Sequence, residues 1–481
     1  MRYAAIIALP LSLCASFASA EATPEGAKAL TTTFQNYLGT TEGVVAVAVE
    51  GDSYVVTIDP APLMAKIPAE GLTATVSPLN LTLTDNEDGT WDYSLDQPVS
   101  LAYAMPKVMA TKTEYGSVKL TGVFDEALGD SSEYHLELSD VTSEQTQTDP
   151  MGGEVVVKAT QDSMTMDGSG VAATMGVDSQ FTTQASGISY DMTMPMGEGT
   201  PPLNLTATVA EGSGSGGIKG YKPQALYGLL AWFVAHPDQA LIEADKAGLK
   251  TQLQSALPIF ENLAVTMSYK DIAVTSPVGE FGLDEAAVVV DMNGAVTDGK
   301  FREAITLSGL TVPEGVVPPF AAPLVPTDLT LDFAVSKFDL AAAASLGLGL
   351  LDLPTGTPPG PEFEGQMLAA LLPEGVVDIT LAPGGAMAPA YTLGFEGAMT
   401  AGPAMPMPVG KGTVTLKGLE EIKAALMASP QEMGMQEMAP MLDMAQAMAK
   451  PGADGALVWE VESTAAGGLL INGTDLMGAP Q

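Results

Sequence analysis

Thiol, imidazole and basic chemistry are nearly missing from this sequence. Its 481 residues contain one cysteine, Cys14, and two histidines, His135 and His236. A zinc site draws three or four ligands from Cys, His and carboxylates, so none is expected here. Only 19 Lys+Arg stand against 58 Asp+Glu, a formal net charge of −39. Without a basic footprint to neutralise phosphates, nucleic-acid binding is not expected, and anionic lipid headgroups are a poor electrostatic target. No G-x-S-x-G elbow occurs, and neither histidine has a Ser or Asp arrangement that the sequence singles out. The chain is therefore expected to be non-enzymatic and to carry no cofactor. Yet charged residues make up only 16% of the chain and mean hydropathy is +0.21. This is not the composition of a disordered acidic tail, which needs low hydrophobicity as well.

What is present begins with an export signal. Residues 1–20 carry one basic residue, Arg2, then an apolar run from Tyr3 to Phe17, then Ala18-Ser19-Ala20. That is the order of a cleaved secretory signal peptide, and the run is short for a membrane anchor. Leu13 before Cys14 disfavours a lipoprotein site. Cleavage after Ala20 removes the only cysteine, leaving no disulfide or thiol in the mature protein. The expected location is the periplasm, with no stable transmembrane anchor.

Most of the remaining chain alternates polar and apolar residues with period two, the signal of half-buried strands. Runs at 43–59, 72–96, 118–125, 134–141, 154–168, 179–195 and 202–211 read as an antiparallel meander, with Asp88-Gly89 supplying the positive φ of a tight hairpin. At 212–217 stands GSGSGG, read as a flexible linker. Leu226, Leu229, Leu230 and Phe233 then fall on one helical face, and a second helix runs from Pro237 to about Leu257. Strands return at 263–276, 286–294, 301–312, 328–340, 376–383, 390–401 and 412–419, with helices at 419–427 and 431–448 before a closing hairpin at 459–473. The fold class this implies is α+β: large twisted antiparallel sheets with a central helical segment and late helices packed on them. The expected domains are the signal peptide at 1–20, an N-terminal β-rich lobe at 21–211, linker and central helices at 212–262, and a C-terminal α+β lobe at 263–476.

Four features invite chemistry. Gly212, Gly214 and Gly217 satisfy G-x-G-x-x-G, with Asp238 downstream; the antiparallel surroundings favour a linker over a dinucleotide fingerprint. The Asp85-Asn86-Glu87-Asp88-Gly89 turn could offer oxygens to calcium but lacks EF-hand spacing, and a solvated hairpin explains it. The segments 115–128 and 411–426 share Gly116/Gly412, Val118/Val414, Leu120/Leu416 and Gly122/Gly418, either as a duplicated unit or as two alternating strands that happen to end in glycine. Finally, 26 methionines cluster. Met192, Met194 and Met196, and Met435, Met438 and Met441 within a run from Met433 to Met448, are either soft-metal ligands suited to Cu(I) or an adaptable apolar face buried against a sheet.

Pro326-Thr327-Asp328-Leu329 with the alternation that follows it, GTVTLKGLEEIKAAL (412–426) and the ending from Trp459 to Gly473 resemble the exported alphaproteobacterial family known as domain of unknown function twenty-one-twenty-five. The resemblance covers roughly 263–476 and implies a periplasmic, strand-rich protein with no known active site. A looser similarity to AsmA-like proteins implies long curved sheets with apolar troughs for lipid. The expected function is therefore a periplasmic envelope protein binding a lipid or other apolar ligand in a sheet-helix groove, with soft-metal (copper) binding through the methionines as the alternative.

Overall fold

The structure, a computed structural model, describes residues 21–65, 73–148, 153–197, 200–354, 356–431 and 434–476. The expected export signal at 1–20 and Met433 lie outside the described residues. Contacts divide the chain into two compact units, Met1–Leu263 with Gly347–Pro359, and Ala264–Leu346 with Gly360–Gln481. The architecture is α+β with large antiparallel sheets.

Unit 1 opens with helix α1 (Pro24–Leu38), for which the alternation gave no sign. Thr23 caps it, its Oγ1 accepting from Gly26 N at 3.0 Å, and Pro24 occupies the first turn, where a missing N–H costs nothing. Leu30 and Phe34, at helical spacing, are 2% and 0% exposed. They fill the core formed with β1 (Val45–Glu50), β2 (Ser53–Ile58) and their neighbours. After a turn of helix, α2 (Ala61–Met64), come β3 (Thr73–Val76), β4 (Leu79–Asp85), β5 (Thr90–Met105), β6 (Met109–Asp125), β7 (Asp130–Thr148), β8 (Glu154–Ala172), β9 (Val177–Met194) and β10 (Leu203–Tyr221). Pairing runs β1-β2-β4-β5-β6-β7-β8-β9-β10, and β3 adds to the far end of β5. The central helices follow as α3 (Pro223–Ala235), α4 (Gln239–Ala244) and α5 (Lys246–Ala256), and they belong to unit 1.

GSGSGG is strand, not linker. Gly212 to Gly217 lie inside β10, paired residue by residue with Ala185 to Gln180 of β9. Flexibility is not what the glycines supply there: a Cβ on Gly217 would stand 3.0 Å from the carbonyl of Ser179. A side chain at Gly217 would crowd that carbonyl. This also removes the phosphate-loop reading, because a strand does not turn its N–H groups on one anion.

β5 to β10 are 16 to 19 residues long, and a line of irregularity crosses them. The β6–β7 register passes from Tyr115↔Val141 to Ser117↔Ser139, leaving out Gly116 and Asp140. The next strand pair leaves out Asp140 and Asp162, and β9–β10 leaves out Gly187 and Ala210. Asp140 has φ +52° and Gly187 φ +63°. Aspartate tolerates the left-handed region and glycine has no Cβ to oppose it. The consequence is a phase slip. On β6, inward-facing residues run 111, 113, 115 and then 118, 120; on β7 they run 134, 136, 138 and then 141, 143. One residue absorbed at the crease keeps the same face inward on both sides.

Unit 2 contains β11 (Asn262–Ser276), β12 (Gly279–Asn293), β13 (Gly299–Ser308), β14 (Asp328–Phe338), α6 (Leu340–Leu348), α7 (Phe363–Leu371), β15 (Val377–Ala388), β16 (Tyr391–Ala401), β17 (Val409–Lys417), α8 (Leu419–Met427), α9 (Ala439–Met448), β18 (Lys450–Pro451), β19 (Leu457–Ser463), β20 (Leu469–Ile471) and β21 (Thr474–Asp475). The same device recurs. Asp271 has φ +52° and Gly309 φ +69°, and the Asp284 carboxylate stands where a Cβ on Gly309 would be, as Asp162 does at Gly187. Both units therefore repeat Asp-[Val/Ile], Asp and Ser-Gly-[Ile/Leu] in order. The echo read at Gly122/Gly418 does not map: Gly122 is interior to β6, whereas Gly418, at φ +87°, is the N-cap of α8.

Gly187→Val should lower the stability of unit 1 by about 2 kcal/mol or more, since a β-branched residue at positive φ also collides with Asp162. Asp140→Gly should stay within about 1 kcal/mol of the parent, because relief at φ +52° offsets added unfolded-state freedom. Urea denaturation of the two variants checks both.

Candidate functional site

The crease separates two kinds of sheet. On one side lies the buried core: Leu95, Val118, Leu120 and Phe124 pack under Leu30 and Phe34. On the other, over Val99–Tyr115, Val141–Thr148, Glu154–Gln161, Ile188–Met194 and Leu203–Glu211, no described residue is buried. Polarity nevertheless remains sorted by face. The inward face of this distal half carries Leu101, Tyr103, Val157, Tyr190, Met192 and Leu205; the register sets Val157 and Leu205 opposite Met192. Tyr190 is 45% exposed.

The opposite face is a charge ladder. Lys112, Glu144, Lys158, Asp191 and Thr206 stand in successive register across β6 to β10. Lys158 lies 3.8 Å from Glu144, Lys112 lies 2.7 Å from Glu114, and Thr206 Oγ1 donates to Asp191 at 2.7 Å. These exposed pairs contribute little stability, but they identify the solvent side. A groove of about 420 Å³ also lies in this half, between β3, β5, β6 and β7, with Thr75, Ala102, Ala104, Ala110, Lys112 and Glu144 among its lining. Alanines on the floor leave the backbone bare, and a charged pair stands on one wall. Every residue of that lining comes from a strand, and most of them stand on the face of the charge ladder.

The histidines fall in structural settings. His135 pairs across strands with Asp167 at 2.7 Å, in the open. His236, at the end of α3, places Nδ1 2.7 Å from the Trp232 carbonyl and stacks on the Trp232 ring at 3.9 Å. Asp245 accepts from Trp232 Nε1 and caps α5 through Gly248 N, and these hydrogen bonds hold its carboxyl below the usual range. The acid-rich turn is likewise committed. Asp85 accepts from Glu87 N, and Asp88 accepts from the N–H and hydroxyl of Thr90, which lowers the Asp88 carboxyl.

Carboxyls of raised proton affinity do occur, at the turn-proximal end of β6 and β7. Burial pushes Asp130 and Glu126 up. Asp130 lies among tyrosines: its charge adds to the burial that raises Tyr134, Tyr221 and Tyr227, and Tyr93, pushed up to about 12, donates to or accepts from Ser131 Oγ at 2.9 Å. Among the described residues, no group of three His, Cys, Asp or Glu side chains is placed to hold a metal ion.

The methionines divide. Met192 and Met194 lie on the inward face of β9 opposite Leu205 and Leu203, and Met196, 55% exposed, lies beyond the strand. Met435, Met438 and Met441 are 37%, 48% and 63% exposed. The expectation of a buried methionine face against a sheet fails for these three. The helix expected from 431 begins at Ala439, with Met435 and Met438 in a 3-10 turn ahead of it and only Met441 inside it, and helical spacing does not say which face is covered.

The alternation at 202–211 was legible in the sequence and 99–115 was not read as strand; that no described residue in either segment is buried comes from packing alone. No helix among the described residues is long and apolar enough to cross a membrane. Comparison with family models, curated proteins and solved structures gave no match to the chain.

Asp130 also sets a pH dependence. Its folded-state pKa lies above the unfolded value, so its favourable contribution is complete at low pH and is lost as pH rises from the ordinary aspartate value through the raised one. Asp130→Asn should therefore be more stable than the parent at neutral pH, with the difference vanishing below about pH 3.5, where both forms are neutral. Thermal unfolding against pH measures this; a less stable variant at neutral pH contradicts it.

Proposed function

We propose that this chain is a non-enzymatic, exported envelope protein that holds an acyl-chain lipid on the inward distal face of the unit 1 sheet. One observation carries the reading. Apolar side chains of β5, β8, β9 and β10 are sorted to one face, crossed in β6 and β7 by Thr111, Thr113, Ser143 and Gln145, and none of them is buried. Monomeric soluble proteins rarely leave a contiguous apolar area of this kind without a binding role. Covering one exposed aliphatic or aromatic side chain contributes roughly 1.5–3 kcal/mol, so a chain lying across several rows gains enough to bind. Its run from Ile188 to Met194 extends about 20 Å at ~3.3 Å per residue, a length suited to an extended hydrocarbon.

The charge ladder on the other face favours the same reading, because it keeps the opposite side of the sheet in water. The resemblance of the C-terminal half to an exported family, and the looser one to sheets with lipid troughs, point the same way. Periplasmic location rests on the signal read in residues 1–20. The high acid content suits a solvated coat around such a protein.

Native mass spectrometry of the purified chain should show adducts with the masses of acyl lipids. A fluorescent fatty acid should be displaced by unlabelled lipid, with affinity about tenfold or more weaker in a Tyr190→Asp, Leu205→Asp double variant that keeps its circular dichroism. Absence of both adducts and displacement contradicts the proposal.

A further inference from the structure

Two rows in direct register cross the inward distal face of unit 1. One runs Tyr103, Thr111, Gln145, Val157, Met192 and Leu205 from β5 to β10. The row beside it runs from Leu101 through Thr113, Ser143 and Tyr190 to Ala207. Both repeat one order: an apolar or aromatic residue on β5, a hydroxyl or amide on β6 and β7, then apolar and aromatic residues from β8 to β10.

No residue of either row is charged. This belongs to the face and not to the strands, because a step of one residue along each strand reaches Lys112, Glu144, Lys158 and Asp191 on the other side. Lys107 stands in the turn beyond Met105, outside both rows. A chain of net charge −39 thus keeps ions of both signs off these rows.

The polar band on β6 and β7 has the chemistry to receive a neutral head group. Thr113 Oγ1 and Ser143 Oγ lie 3.0 Å apart, and that bond uses one of their two hydroxyl protons. Gln145 adds an amide, with donors and an acceptor. Thr111 Oγ1, covered and without a hydrogen-bond partner among the described residues, gains one if a turn about χ1 brings it to a ligand on this face. Hydroxyl and ester groups match such a mixed set of donors and acceptors. A carboxylate, a phosphate or an ammonium does not. The band lies between apolar strips, so an ion seated on it loses water and meets no counter-charge in either row.

We propose that the lipid of this face is a neutral single-chain amphiphile of the monoacylglycerol type, its hydroxyl-bearing head on Thr113, Ser143 and Gln145 and its chain over Val157, Met192 and Leu205. The inference rests on reading the face as a lipid site and adds the class of head group. From Gln145 to Leu205 is three strand spacings, roughly 14 Å, within the reach of a dodecyl chain. Fatty acids still bind through their hydrocarbon, and more weakly than the glyceride.

The test is calorimetric titration of the full chain with three probes of equal chain length, each below its micelle concentration: monolauroylglycerol, laurate and dodecylammonium. At about pH 8 the last two are ionised, and the glyceride should bind about tenfold or more tightly than either. A Ser143→Lys variant with unchanged circular dichroism should narrow the gap between laurate and the glyceride by about fivefold or more, since it supplies the missing cation. Laurate binding the parent as tightly as the glyceride overturns the head-group assignment while leaving the lipid site in place. So does dodecylammonium binding more tightly than both, because the net acidity of the chain rather than this face would then set the choice. Binding of none of the three removes the lipid site itself, and the assignment with it.

Discussion

A β-strand gives alternate side chains to opposite faces, so a strand of nineteen residues stays sorted only while its alternation holds phase. In β6 to β10 the phase slips once, in the middle, and the rest of unit 1 depends on how that slip is absorbed. Asp140 and Gly187 take positive φ, the ladders skip one residue on each strand at β6–β7, β7–β8 and β9–β10 and two on each at β8–β9 along the line from Gly116 to Ala210, and the inward face remains inward. Had the ladders continued in strict register, Val118 and Leu120, 4% and 6% exposed, would have pointed to the side where Lys112 and Glu144 now stand.

The crease also divides labour. The proximal half has a core, built by α1 against β2, β4, β5 and β6. The distal half has a face sorted as if for a core but none of it buried, with charges confined to the other side.

Most strands and the central helices were legible in the sequence because each has a clear periodicity or a change of one. Strand lengths were legible only in part. The segments 118–125 and 134–141 begin or end at the crease, since period-two alternation stops there, and GSGSGG lies immediately beyond it in β10. Helix α1 was missed although Thr23, Pro24, Leu30 and Phe34 carry an ordinary cap and face, because its short apolar stripe follows directly on the segment read as an export signal. For the candidate sites, residue types were legible and exposure was not. Periodicity places Met438, Met441 and Met444 on a helix, and only packing shows that Leu442 faces in while they face out.

The central claim is that the crease separates a packed half-sheet from an open half that is completed by ligand. Hydrogen–deuterium exchange of the whole chain, with and without a long-chain fatty acid, tests it most directly. The account predicts strong protection of α1, β2 and the proximal parts of β5 and β6 in both states, with weaker protection over 99–115, 188–194 and 203–209 that rises on adding the fatty acid. Equal protection on both sides of the crease in the free chain, or no change beyond it with ligand, would contradict the account.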